Sequence, residues 1–92
     1  MMINPEYAKP ILELANLCTE SKIPFTLNVI WDGLQMRFPW NDGDIICHSG
    51  SYRHEIGAVE SMGCAWDDED VSWAEVEDMF YNLKIWYAEI RE

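Results

Sequence analysis

Positive charge is what this chain has least of. Six Lys and Arg stand against seventeen Asp and Glu in 92 residues, a formal charge of −11. Nucleic acid and anionic membrane both ask for a basic footprint, so neither is expected as a direct partner. Long apolar runs are missing as well, since nothing approaches the ~18 residues of a membrane span. The opening MMINPEYAKP lacks a basic stretch followed by an apolar one, the pattern of a secretory signal. Cysteine is sparse and irregular. Cys18, Cys47 and Cys64 are odd in number and widely spaced, which makes no disulfide framework and points to a reducing, cytoplasmic setting.

Catalytic and metal signatures are equally thin. Cys47, His48, His54, Glu55 and Cys64 are metal-ligand types, but no C-x₂₋₄-C pair occurs, and Cys47 and His48 would point to opposite faces of a strand. A core cysteine and surface or loop histidines explain them better. Cys47 or Ser51 with His54, or Glu55 with Glu60, could be sought as catalytic groups, yet no nucleophile elbow, phosphate loop or oxyanion device orders them. The expectation is a binding protein and not an enzyme, with no metal and no cofactor. Asp67-Asp68-Glu69-Asp70 also lacks the alternating ligands and central glycine of a calcium loop.

What the chain does have is core material. Hydrophobic residues make up 49% and aromatics 13%, with five Trp, unlike acidic disordered chains. The length suits one compact domain, residues 1–92.

The segment from Pro5 to Ser21 reads as helix, with Ile11, Leu14, Ala15 and Cys18 on one stripe. Asn4-Pro5 resembles an N-cap and first-position proline, but Pro10 lies inside, so a bend or a start at Lys9-Pro10 is expected. Pro24 biases Ile23 away from the α region, which stops the helix by Lys22. From Phe25 to Trp31 the period is two. Asp32-Gly33 then offers a type I′ turn, pairing Trp31 with Leu34, Val29 with Met36 and Leu27 with Phe38. A longer loop over Pro39–Asp44 would bring Phe38 near Ile45 and avoid asking Pro39 for an N–H it lacks. In residues 50–70, Ile56, Val59 and Met62 suggest a single helical turn within a long connection of the kind that often carries function. Ser72 with Glu75 reads as a capping box, and Val71 with Val76 as its staple. The apolar stripe Trp73, Val76, Met79, Phe80, Leu83, Tyr87 and Ile90 follows. The expected fold class is α+β: a three-stranded antiparallel meander flanked by N-terminal and C-terminal helices, in αβββα order.

Charge is uneven along the chain. Residues 54–83 contain no Lys or Arg but carry nine acids: Glu55, Glu60, Asp67, Asp68, Glu69, Asp70, Glu75, Glu77 and Asp78. A helix N-terminus accounts for Asp70 and Glu75, because its dipole favours anions within one turn. Seven acids between Asp67 and Asp78 exceed that need. They form either a solvated face or a surface for a basic protein groove. Tyr81, Ile85 and Trp86 extend the last helix's apolar surface beyond the stripe, either as core beneath the first helix or as a contact or homodimer patch.

The string WDGLQMRFPWNDGDIICHSGSYRHEIGAVESMG, Trp31 to Gly63, resembles small proteins of phages and prophages of Gram-positive bacteria. The short, very acidic αβββα plan is also similar to some anti-CRISPR proteins. That resemblance implies a DNA mimic in the bacterial host cytoplasm, an inhibitor or decoy that sets carboxylates in the basic groove of a host nuclease such as Cas9. Its contact would be Asp67, Asp68, Glu69, Asp70, Glu75, Glu77 and Asp78, flanked by Glu55 and Glu60. The alternative is an accessory interaction or oligomerisation module using the aromatic C-terminal helix.

Overall fold

A computed structural model describes residues 2–51, 54–62 and 72–91. The first helix, α1, spans Pro5–Glu20 and runs through Pro10 from the first proline, so the expected later start at Lys9-Pro10 is not what forms. Asn4 secures the earlier start. Its Oδ1 accepts the Glu6 N–H at 2.9 Å, while Pro5 occupies a first-turn position that has no intrahelical donor to lose. Pro10 itself is buried in the apolar face of the helix with Ile11, Leu14, Ala15 and Cys18.

The end of α1 is a Schellman motif. The Ile23 N–H reaches Cys18 O at 2.9 Å and the Lys22 N–H reaches Thr19 O at 3.1 Å, with Lys22 in the left-handed region at φ 61°. Buried Ile23 and Cys18 add the apolar contact that usually accompanies this cap.

Among the described residues the sheet is antiparallel with five strands in the order β1-β2-β3-β4-β5, two more than the meander expected. They are β1 Thr26–Ile30, β2 Gly33–Phe38, β3 Asn41–Cys47, β4 Val59–Met62 and β5 Ser72–Ala74. A 3-10 turn, His54–Ile56, precedes β4, so Val59 and Met62 lie on a strand and not on a helical turn.

The first hairpin turns two residues off the expected register. Ile30 pairs with Gly33, Val29 with Leu34 and Leu27 with Met36, which leaves Trp31-Asp32 as the turn. The left-handed φ falls on Trp31, at 53°, and not on Gly33. Gly33 is needed for a different reason: a Cβ there would fall onto the Cys47 carbonyl oxygen of β3. Close approach of two strands, not turn geometry, selects the glycine.

The second turn is Pro39-Trp40, shorter than the expected loop. Phe38 pairs with Asn41, Arg37 with Asp44 and Met36 with Ile45, with a bulge between Arg37 and Phe38. Proline in the turn loses no ladder bond, and the Asn41 side chain accepts the Gly43 N–H at 2.7 Å across the extra residues.

The second helix, α2, spans Val76–Arg91. Its first backbone bond is Met79 N–H to Glu75 O at 2.9 Å, so Glu75 sits at the cap and the expected Ser72 capping box does not form. Ser72–Ala74 pairs instead with Val59–Ser61, which engages its backbone in the sheet. Val71, the other half of the expected staple, lies outside the described residues.

Both helices lie against one side of the sheet. On it α1 packs over β2 and β3, while α2 packs on β5 and on α1. Ile11, Leu14, Cys18, Met36, Ile45, Cys47, Val59, Met79 and Leu83 are essentially fully buried between them. Trp40, Phe38 and Tyr87 close one margin through tilted ring contacts about 5 Å apart, with the Trp40 indole donating to Pro24 O. No described helix is long and apolar enough to cross a membrane.

Candidate functional site

The start of α2 presents Glu75, Glu77 and Asp78 to solvent. At a helix N-terminus these carboxylates face unsatisfied N–H groups and the positive end of the dipole, so helix electrostatics favour them there. Across from them lies the C-terminal half of α1. The two segments bound a groove of about 350 Å³ lined by Glu13, Asn16, Leu17, Glu20, Val76 and Glu77. Leu17 and Val76 are half-buried, while the three glutamates stand exposed around them.

Helix electrostatics do not account for this group as a whole. Glu77 gains from its position, but Glu20 lies in the last turn of α1, where the dipole is negative and no basic residue compensates. Glu13 shares that face one heptad earlier. Among the described residues, no Lys, Arg or His lines the groove. The acidic stretch 54–83 does not include Glu13 and Glu20; their spacing of seven on one helix, with the second at the wrong end for an anion, is the sequence signal that marks them.

The other expected contact residues separate. Glu60 is on β4, only 7% exposed. Its strand register sets it beside Ile46 and Trp73, on the side of the sheet away from the helices. A side chain so placed presents little carboxylate to a partner. Glu55 belongs to the 3-10 turn His54–Ile56. Asp67, Asp68, Glu69 and Asp70 lie outside the described residues, as does Cys64.

The cysteine and histidine candidates are drawn into structural bonds. Cys47 points into the core, where burial pushes its thiol up to about 11, as it does for Cys18. Such thiols hold little of the nucleophilic thiolate near neutral pH. His48 Nδ1 accepts the Gly50 N–H at 2.9 Å, and its ring lies against Trp31 with centroids 4.5 Å apart. The Ser51 hydroxyl donates to the His48 carbonyl at 2.8 Å and accepts the His48 N–H at 3.0 Å, so its proton is committed to backbone. Asp32 accepts the Ser49 N–H at 3.0 Å, and that bond holds its carboxyl below the usual range. These contacts join the first hairpin turn to the exit of β3. His54 is elsewhere, edge-on to Tyr7 at 5.1 Å beside a cleft of about 430 Å³ that Glu6, Lys9 and Gly57 also line. Among the described residues, no three His, Cys, Asp or Glu side chains gather as a metal site would require.

Comparison with family models, with curated proteins and with solved structures finds no match to this chain. The functional reading therefore rests on the residues themselves.

Proposed function

We propose that this protein is an acidic inhibitor or decoy that occupies the basic groove of a nucleic-acid-binding protein, acting as a DNA mimic on a host nuclease such as Cas9. The observation that carries it is the carboxylate surface spanning both helices: Glu75 at the cap of α2 and Glu77 and Asp78 in its first turn stand exposed, with Glu13 and Glu20 across the groove on α1. Carboxylates held on packed helices can stand in for phosphates, because a groove built for a polyanion attracts them through the same field. Asp67, Asp68, Glu69 and Asp70 continue the charge immediately before β5 in sequence.

Displacement of labelled duplex DNA from guide-loaded Cas9 tests the proposal. The protein should compete at low salt and weaken steeply as ionic strength rises. The combined reversal E75K, E77K and D78K should cost at least about tenfold, since like charges facing a basic groove repel. Displacement unaffected by that reversal would end this reading.

A second reading has its own observation. Tyr81 and Ile85, one turn apart on α2, are 61% and 40% exposed, and the Lys84 ammonium lies 4.9 Å from the Phe80 ring centroid. An interaction or homodimer surface centred there would persist at high salt, where the mimic's contact fades.

A further inference from the structure

We infer that the groove between α1 and α2 is a docking site for a basic segment of a partner protein carrying an aliphatic side chain between flanking Lys or Arg residues. The inference deepens the reading of a cationic protein partner and rests on it, but it assigns a distinct recognition element.

Charge alone does not describe the groove. Its less exposed lining is apolar: Leu17 of α1 and Val76 of α2 are half-buried and open to the same hollow, which makes them its floor relative to the exposed glutamates. A volume of about 350 Å³ sits at the lower end of the ~300–1,000 Å³ typical of sites that enclose a compact group. Glu13, Glu20 and Glu77 surround that floor, and Asn16 contributes an amide able to bond a peptide backbone.

The occupant follows from this combination. An anionic or purely polar segment would meet three carboxylates over an apolar floor and gain from neither. A wholly apolar segment would bury its side chain but desolvate the glutamates without compensation. An aliphatic side chain covers Leu17 and Val76, while cationic neighbours reach the carboxylates around the rim. Apolar centre and charged rim is the usual division of labour at a protein interface: the centre supplies affinity, and the rim supplies steering and register. It also gives Glu20 a use that the end of α1 does not.

Two acetylated hexapeptide amides test this on the full-length protein, one with paired central leucines flanked by arginine and lysine, the other with serines in their place. Fluorescence anisotropy at low salt should show the leucine peptide binding about tenfold or more tightly, as expected for enclosing an aliphatic side chain. Backbone amide shifts should centre on Glu13, Leu17, Glu20 and Val76. L17S should bring the leucine peptide down to the level of the serine control. Because Leu17 is half-buried, the exposed change E20K serves as a second variant, and should weaken the leucine peptide several-fold without lowering thermal stability, since a cation suits the end of α1 better than Glu20 does. Equal binding of the two peptides, binding of neither, or shifts elsewhere would overturn the groove. Loss of DNA displacement with intact leucine-selective binding would instead overturn the mimic reading and leave the groove standing.

Discussion

Strands β1 and β2 carry the same alternation and pair residue for residue, yet their fates differ. Leu27 faces Met36 and Val29 faces Leu34 on one side of the sheet. Met36 is completely buried, whereas Val29 is 62% exposed and Leu27 is 37% exposed. The difference is cover. Helix α1 packs on β2 and β3, and β1 lies beyond it as an edge strand. Alternation tells which residues share a face, but whether that face is dry depends on where a helix comes to rest.

The contrast can be broken most forcefully from the buried side. Met36→Ala should cost about 2–5 kcal/mol in a urea titration, whereas Leu27→Ala, already in contact with water, should cost under ~1 kcal/mol. Similar losses at the two positions would mean that β1 is covered after all.

Gly33→Ala probes the joint between the first hairpin and β3. A Cβ there meets the Cys47 carbonyl, so backbone must move, and a loss of about 1–3 kcal/mol is expected. A residue kept only for turn conformation would predict little change, because its φ is not in the left-handed region.

High pH should act through the covered side. The Cys18 and Cys47 thiols, both raised to about 11 by burial, ionise more readily in the unfolded chain. Their contribution is therefore complete below the unfolded thiol pKa and is lost as pH rises through about 11. The urea midpoint should fall as pH is raised across this window, and Cys18→Ala should remove part of the slope. A slope unchanged in that variant would contradict a buried, neutral Cys18.

The smallest effect belongs to the edge. Val29→Thr keeps a β-branched side chain on an exposed strand position and should stay within about 0.5 kcal/mol of the parent. A larger loss, particularly one that depends on protein concentration, would show that β1 is occupied in solution.

Several elements were legible from residue order because their causes are local. The buried stripe of α1 and its stop before Pro24 follow from side chains within one turn of each other, whereas its start at Asn4-Pro5 ran against the later start at Lys9-Pro10 that Pro10 suggested. The first hairpin was legible as a hairpin, but its turn was placed on Asp32-Gly33 by a local preference that a distant strand overrode. The same override moved Ser72 from a helix cap to β5, since pairing with β4 gives its backbone partners that a capping box would otherwise supply. Val59–Met62 is too short for its period to distinguish strand from helix. At the candidate site, Glu77 and Asp78 were visible in the charge pattern, whereas Glu13 and Glu20 became relevant only when α1 met α2.

The sequence by itself determined that this is an acidic α+β protein with a helix near each end, an antiparallel hairpin between them and no Lys or Arg across residues 54–83. Composition, short-range periodicity and backbone chemistry are properties of neighbouring residues. The tertiary structure decided the five-strand order, the burial of Glu60, the exposure of Leu27 and Val29, and the groove that gathers three glutamates around Leu17 and Val76. Those outcomes depend on which distant surfaces exclude water from one another, and that is settled only when the layers pack.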